Sequence, residues 1–135
     1  MKFSILVATM NRPKAIENLL ASIEKQTFLP EELVFVDQSK DNLTKDVCDA
    51  YAERLKSRGL HFKYVRQDVP SLVKARNRGI DESTGDIICF VDDDLILDQS
   101  YFKTIAFYFN DPSIGGVTGN VFVEKPPAGF KWKIR

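Results

Sequence analysis

The sequence predicts an α/β fold built on a mainly parallel sheet with helices on both faces, and three observations predict it. Short apolar, β-rich runs alternate along the chain with segments whose apolar residues recur at helical spacing. Turn and capping residues stand at most of the junctions between them. Polar, chemistry-bearing residues gather just after the strands. Strands alternating with helices imply parallel pairing through right-handed crossovers. In such sheets ligands bind outside the carboxyl ends of the strands, where the strand order reverses.

Phe3 to Ala8 is the first strand, stopped by Thr9-Met10-Asn11-Arg12. Pro13 suits the first turn of a helix, where no N–H is needed, and Ile16, Leu19, Leu20 and Ile23 form that helix's apolar stripe. Leu33 to Val36 is the second strand and ends at Asp37-Gln38-Ser39. Asp41 or Asn42 caps a second helix with Val47, Tyr51 and Leu55 on one side, and Gly59 ends it. Phe62 to Val65 is a third strand, more polar and therefore expected near a sheet edge. His61, the single histidine, starts that strand and is read as a surface residue.

Ser71 caps a third helix that runs to about Ser83, where Thr84-Gly85 stops it. Asp86 to Val91 is the fourth strand, and its unbroken apolar run from Ile87 has the composition of a buried one. Asp98 or Ser100 starts a fourth helix carrying Phe102, Ile105, Ala106 and Phe109. Val117 to Val123 is expected to form a fifth strand before Pro126-Pro127 breaks the pattern. No repeat, low-complexity tract or linker intervenes, so residues 1–135 are expected to form a single domain.

With 44% hydrophobic and 28% charged residues, the composition is that of a globular chain and excludes a disordered one. Lysine plus arginine equals aspartate plus glutamate at 19 each, which gives no global attraction to nucleic acid or anionic lipid. Cys48 and Cys89 lack metal-ligand spacing and read as reduced, structural thiols. No apolar run approaches membrane-spanning length, and Met1 to Ala8 lacks the layout of a signal peptide. The expected location is cytoplasmic. The basic, aromatic Lys131-Trp132-Lys133-Ile134-Arg135 is read as a cut-off strand or loop in preference to a membrane contact.

The most informative stretch is Phe90-Val91-Asp92-Asp93-Asp94. Three acids at the mouth of a strand are costly unless water, a cation or a polar ligand compensates them. A phosphate-bearing ligand would be repelled by the aspartates alone, so a hard divalent cation is the natural mediator. If the strand order is 3-2-1-4, the ends of the first, second and fourth strands lie side by side. One cleft then holds Thr9, Asn11, Arg12, Asp37, Gln38 and Asp92 to Asp94. Two relatives of this fold are excluded on chemistry. The turn after the first strand holds no glycine for a G-x-G-x-x-G pyrophosphate loop, and no G-x-x-x-x-G-K-[ST] P-loop is present.

Val7-Ala8-Thr9-Met10-Asn11-Arg12-Pro13, Gln26-Thr27 and Val36-Asp37-Gln38-Ser39, taken in order, resemble the opening of glycosyltransferase family 2. Ala75-Arg76-Asn77-Arg78-Gly79, Thr84-Gly85-Asp86 and Phe90-Val91-Asp92-Asp93-Asp94 continue that resemblance over nearly the whole chain. It implies the GT-A fold, a nucleotide-sugar donor, a divalent metal (Mg2+ or Mn2+) and sugar transfer with inversion at the anomeric carbon.

Carried over residue by residue, the resemblance implies that Thr9 and Asp37 contact the nucleotide base, with Asp37 accepting the imide N–H of uracil or thymine. Gln38 stands where the family often has a second acid or amide. Asn11 and Arg12 lie at the strand-to-helix turn, Arg12 toward the diphosphate, and Arg76 faces the nucleotide sugar. The three acids map onto the family's D-x-D motif. Asp94 is the expected metal ligand, while Asp92 or Asp93 binds ribose or shares the ion through water. The general base is expected from a later acidic segment, beyond Arg135. The chain then resembles the donor-binding part of a C-terminally truncated transferase acting on a glycan or lipid-linked acceptor, with the full-length parent at the inner face of a membrane. A non-catalytic nucleotide-sugar-binding module is the alternative. A nucleotidyltransferase ranks last, because its glycine-rich loop after the first strand is absent.

Overall fold

The computed structural model describes residues 1–121. Strands and helices alternate in the order β1 (Phe3–Thr9), α1 (Pro13–Glu24), β2 (Glu32–Asp37), α2 (Leu43–Ser57), β3 (His61–Arg66), α3 (Leu72–Glu82), β4 (Ile87–Phe90) and α4 (Tyr101–Tyr108). The sheet has the order β3-β2-β1-β4, and every pairing in it is parallel. The more polar β3 is an outer strand, as its composition predicts, and His61 is exposed.

Alternating side chains of a strand point to opposite faces, and here both faces are apolar. Ile5 and Val7 of β1 and Leu33 and Phe35 of β2 form one core with Ile16, Leu19, Leu20 and Ile23 of α1. Cys48 and Leu55 of α2 and Phe102 of α4 join the same cluster. Val34, Val36 and Val65 face the other way, toward Ala75 of α3. Helices therefore cover both sides of the sheet. Gly79 lets α3 ride close on β1, since a Cβ there would lie 2.6 Å from the Leu6 side chain.

The amino-terminal edge of the sheet is tied by a polar knot. Glu32, only 3% exposed, accepts from the Ser4 hydroxyl at 2.7 Å, the Thr84 N–H at 2.8 Å and the Thr84 hydroxyl at 3.0 Å. Burial pushes its carboxyl up, but these bonds outweigh burial and hold it below the ordinary 4.5. The Gly85 N–H donates to Ser4 Oγ at 2.9 Å. Both free thiols are inert by the same physics of burial, with Cys48 pushed up to about 12 and Cys89 to about 11.

Helix starts follow the sequence closely. Ser71 Oγ accepts the Lys74 N–H at 3.2 Å, and Asp98 Oδ1 accepts from the N–H of Ser100, the cap residue of α4. At α2 the cap position is Asn42, yet the side chain that bonds is Asp41, to the Leu43 N–H at 3.1 Å. Gly59, with φ of 88°, closes that helix.

Two expectations change. Among the described residues the apolar β4 has β1 as its single neighbour, and it is not the fully buried strand that its composition predicts. Its residues are half-buried, and Phe90 is 53% exposed. Residues 117–121 belong to no strand. The remaining two residues of the expected fifth strand lie outside the described residues, as do Pro126-Pro127 and the tail from Lys131 to Arg135. Among the described residues, no helix is long and apolar enough to cross a membrane.

Candidate functional site

Strand register sets the site. Thr9 of β1 lies level with Asp37 of β2, and Asp37 with Arg66 of β3. β4 is shorter and ends with Phe90 opposite Leu6, after which the Val91 N–H still reaches the Leu6 carbonyl at 3.0 Å. Continued in the same register, Asp93 falls level with Thr9, and the Thr9 hydroxyl donates to Asp93 Oδ2 at 2.8 Å. The Arg12 guanidinium stands 3.2 Å from Asp93 Oδ1 and 3.8 Å from Asp94 Oδ2, and that of Arg76 lies 3.8 Å from Asp92 Oδ1.

The three acids thus part company. Asp93 turns inward, with its side chain 14% exposed, while those of Asp94 and Asp92 are 62% and 72% exposed. Ion pairs this open are worth at most about 1 kcal/mol, so Asp92, Asp94 and the arginines can turn toward a ligand at little cost.

Asp37 is fully buried. Its Oδ2 accepts the Tyr64 hydroxyl at 2.5 Å and its Oδ1 accepts the Ser39 N–H at 2.9 Å. Burial first, then the bond to Asp37, raises the Tyr64 hydroxyl above its ordinary value, so it remains a donor. The side chain expected to meet the base is therefore engaged inside the protein. Register carries the reason: Tyr64 pairs with Phe35, two residues before Asp37, so both side chains point to one face of neighbouring strands.

Gln38 bridges three segments. Its N–H donates to the Thr9 carbonyl at 2.9 Å, and its Oε1 accepts from the Ser71 N–H at 2.6 Å and Gln67 Nε2 at 3.2 Å. Asn11 adopts a φ of 54°, a left-handed conformation that asparagine tolerates better than most residues. From there its N–H donates to Ser39 Oγ at 2.8 Å, and its Oδ1 accepts the Lys40 N–H at 3.1 Å. Asn11 holds two loops together.

An open cleft of about 540 Å3 lies at this edge of the sheet, lined by Thr9, Arg12, Gln38, Arg76 and Asp92 to Asp94. Of the other sequence-derived site residues, Asp37 is buried and Asn11 is exposed, and neither lines the cleft. The sequence reading missed Tyr64 and Gln67, which brace Asp37 and Gln38, and the lining residues Met10, Pro70, Ser71 and Leu72. Met10 and Ser71 carried local signals, one inside the turn after the first strand and the other as a helix cap. The others depend on which loop the topology brings alongside.

Among the described residues, no three His, Cys, Asp or Glu side chains converge into a ready-made metal cage. Asp92 and Asp94 nonetheless offer two solvent-facing carboxylates, which suit a hard cation whose shell is completed by a ligand's phosphates and by water. The donor set fits a magnesium- or manganese-type ion.

A family model for Glycosyl transferase family 2 matches residues 4–135. The chain is 30% identical over 132 residues to a PGL/p-HBAD biosynthesis glycosyltransferase of Mycobacterium tuberculosis, covering 96% of this chain and 50% of that protein. It superposes on S. aureus TarS 1-349 in complex with UDP-GlcNAc with a TM-score of 0.70 and 29% identity, over 92% of this chain and 37% of that one. It also superposes on the mannosyltransferase PcManGT from Pyrobaculum calidifontis, in complex with GDP-Man and Mn2+. That match has a TM-score of 0.74 and 25% identity, over 84% of this chain and 34% of that one. The chain thus spans half or less of each of these proteins. Its motifs, its strand order with helices on both faces and the family match agree: the chain belongs to glycosyl transferase family 2.

Proposed function

We propose that this chain is the donor-binding part of an inverting glycosyltransferase that uses a divalent cation to hold a nucleoside-diphosphate sugar. The observation that carries the reading is the single cleft at the carboxyl edge of the sheet. It gathers two exposed carboxylates, two arginines and polar groups from three strand ends. The matched relatives in complex with UDP-GlcNAc and with GDP-Man and Mn2+ support it.

On this reading Asp94, with Asp92, holds Mg2+ or Mn2+, and Asp93 or Asp92 meets the ribose. A cation bound there offsets the charge of the diphosphate and of the nucleoside diphosphate that leaves. Arg12 turns from Asp93 and Asp94 toward the phosphates, and Arg76 does so from Asp92. Thr9 keeps Asp93 in place through its hydroxyl. An acceptor hydroxyl of a glycan or lipid-linked substrate displaces the nucleotide at the anomeric carbon, with its proton taken by an acidic residue of a later segment. Residues 1–135 alone then bind donor but transfer it to no acceptor. The protonated, unpaired thiols suit a cytoplasmic location, with the full-length parent at the inner face of the membrane.

Calorimetric titration with uridine diphosphate tests this reading. Binding is expected with magnesium or manganese and largely lost with chelator, and Asp94→Asn removes most of that metal dependence while the fold persists. Equal affinity with and without the ion would contradict it.

A further inference from the structure

We propose that Gln26 is a positioning residue for the cation site: its buried amide anchors the far end of the segment that carries Asp92 to Asp94, and so sets where Asp94 meets the ion. The inference rests on the nucleotide and cation reading above and adds a residue that does not itself line the cleft.

Residues 91–100 join β4 to α4 with no helix or strand of their own, so groups from elsewhere must fix their path. At the near end the sheet does so, through the Val91 N–H on the Leu6 carbonyl and the Thr9 hydroxyl on Asp93. At the far end the close of α1 does so. The Leu97 N–H donates to Ser22 Oγ at 3.0 Å, and the Gln99 carbonyl accepts the Thr27 N–H at 2.9 Å. Leu95 and Leu97 pack on the core, while Ile96 between them is 74% exposed.

Gln26 ties this end together. It is 1% exposed, a place where an amide must be bonded. Its Nε2 donates to the Asp98 carbonyl at 2.6 Å and to the Ser22 carbonyl at 3.2 Å, and its Oε1 accepts the Phe102 N–H at 3.2 Å. Two carbonyls that only accept and an N–H that only donates fix the amide in one direction. The Phe102 N–H belongs to the first turn of α4, whose donors the helix leaves unpaired, and the cap residue Ser100 gives that turn no side-chain bond. Gln26 caps α4 from the end of α1.

Asp98 stands four residues after Asp94. Asp93 has the Thr9 hydroxyl to hold its side chain, whereas the Asp94 side chain is 62% exposed and meets Arg12 at 3.8 Å. A side chain this open goes where its backbone carries it. That backbone is held on one side by the sheet and on the other by Ser22 and Gln26. A carboxylate must reach a hard cation at a defined distance, so loosening its support weakens the ion without touching the remaining nucleotide contacts.

The test is calorimetry with uridine diphosphate on the full 135-residue chain, in magnesium and in chelator, comparing Gln26→Met with Glu32→Gln. Gln26→Met keeps the length of the side chain and removes its three bonds. Glu32→Gln weakens the opposite edge of the sheet and is the control for lost stability. The ratio of magnesium to chelator affinity is expected to fall about tenfold in Gln26→Met, the lower end of what support of a metal ligand contributes. The affinity in chelator, and the ratio in Glu32→Gln, are expected to stay at the wild-type level. An unchanged ratio in a folded Gln26→Met overturns the assignment, and so does an equal fall in Glu32→Gln, the mark of a general loosening. If Gln26→Met loses its circular dichroism, Ser22→Ala decides, since it removes the partner of the Leu97 N–H at the same end. A wild-type ratio in that variant overturns the assignment. A wild type that binds equally with and without magnesium overturns the cation site itself and this assignment with it, an outcome distinct from a metal-dependent wild type with unchanged variants.

Discussion

A buried carboxylate is tolerated when donors meet its oxygens, and Asp37 meets that condition through one side chain and one backbone group. Tyr64→Phe removes the Oδ2 donor and leaves a charged oxygen sealed in place. Unfolding in urea should show a loss of about 1–3 kcal/mol, the usual cost of an unpaired buried polar group. An unchanged midpoint would mean that water has replaced the hydroxyl. At this scale the sequence was partly legible. The acids after the fourth strand, the Asp-Gln after the second and the Thr after the first stood out by type and position. What did not stand out was the division of labour. Asp92, Asp93 and Asp94 are equal in a sequence, and only the register of β4 on β1 selects Asp93 for the Thr9 hydroxyl. Asp37 likewise looks available until Tyr64 of another strand is placed beside it.

Elements are held from the edge opposite the cleft as well as from the core. Gly85 sits where a Cβ would come 2.5 Å from Ser4 Oγ, 2.8 Å from the Ser4 nitrogen and 3.0 Å from the Lys2 carbonyl. Two of those atoms are backbone and cannot step aside, so Gly85→Ala should cost about 1–3 kcal/mol as overpacking does. Thermal melting checks it, and an unshifted midpoint would contradict the tight approach. Glu32 gives the same knot a pH dependence. Its folded carboxyl lies below 4.5, so its stabilisation is present above the unfolded value and is lost as pH falls through the folded one. The stability gap between wild type and Glu32→Gln, measured in urea across the acid range, should therefore close as pH drops. A gap independent of pH would contradict it. Helix starts and strand order were legible here because caps, proline at a first turn and apolar spacing are local signals. That β4 has a single neighbour among the described residues was not. An apolar run reads alike whether one neighbour covers it or two.

The whole molecule places polar strand ends on one edge because parallel strands all finish there, and the order β3-β2-β1-β4 sets those of β1, β2 and β4 side by side. The cleft follows from topology, and the family match agrees with what the strand ends hold. The loop carrying Gln67 and Pro70 reaches the site only through that topology, which is why no motif announced it. The account rests on this cleft being the nucleotide site. Amide shift mapping of the isotope-labelled chain with uridine diphosphate and magnesium tests it most directly. The largest changes should fall at Thr9 to Arg12, Gln38, Ser71 to Arg76 and Asp92 to Asp94. Changes confined to the groove beside β4, formed by Tyr101, Ile105, Phe109 and Gly115 to Gly119, or to the Glu32–Thr84 edge would contradict it.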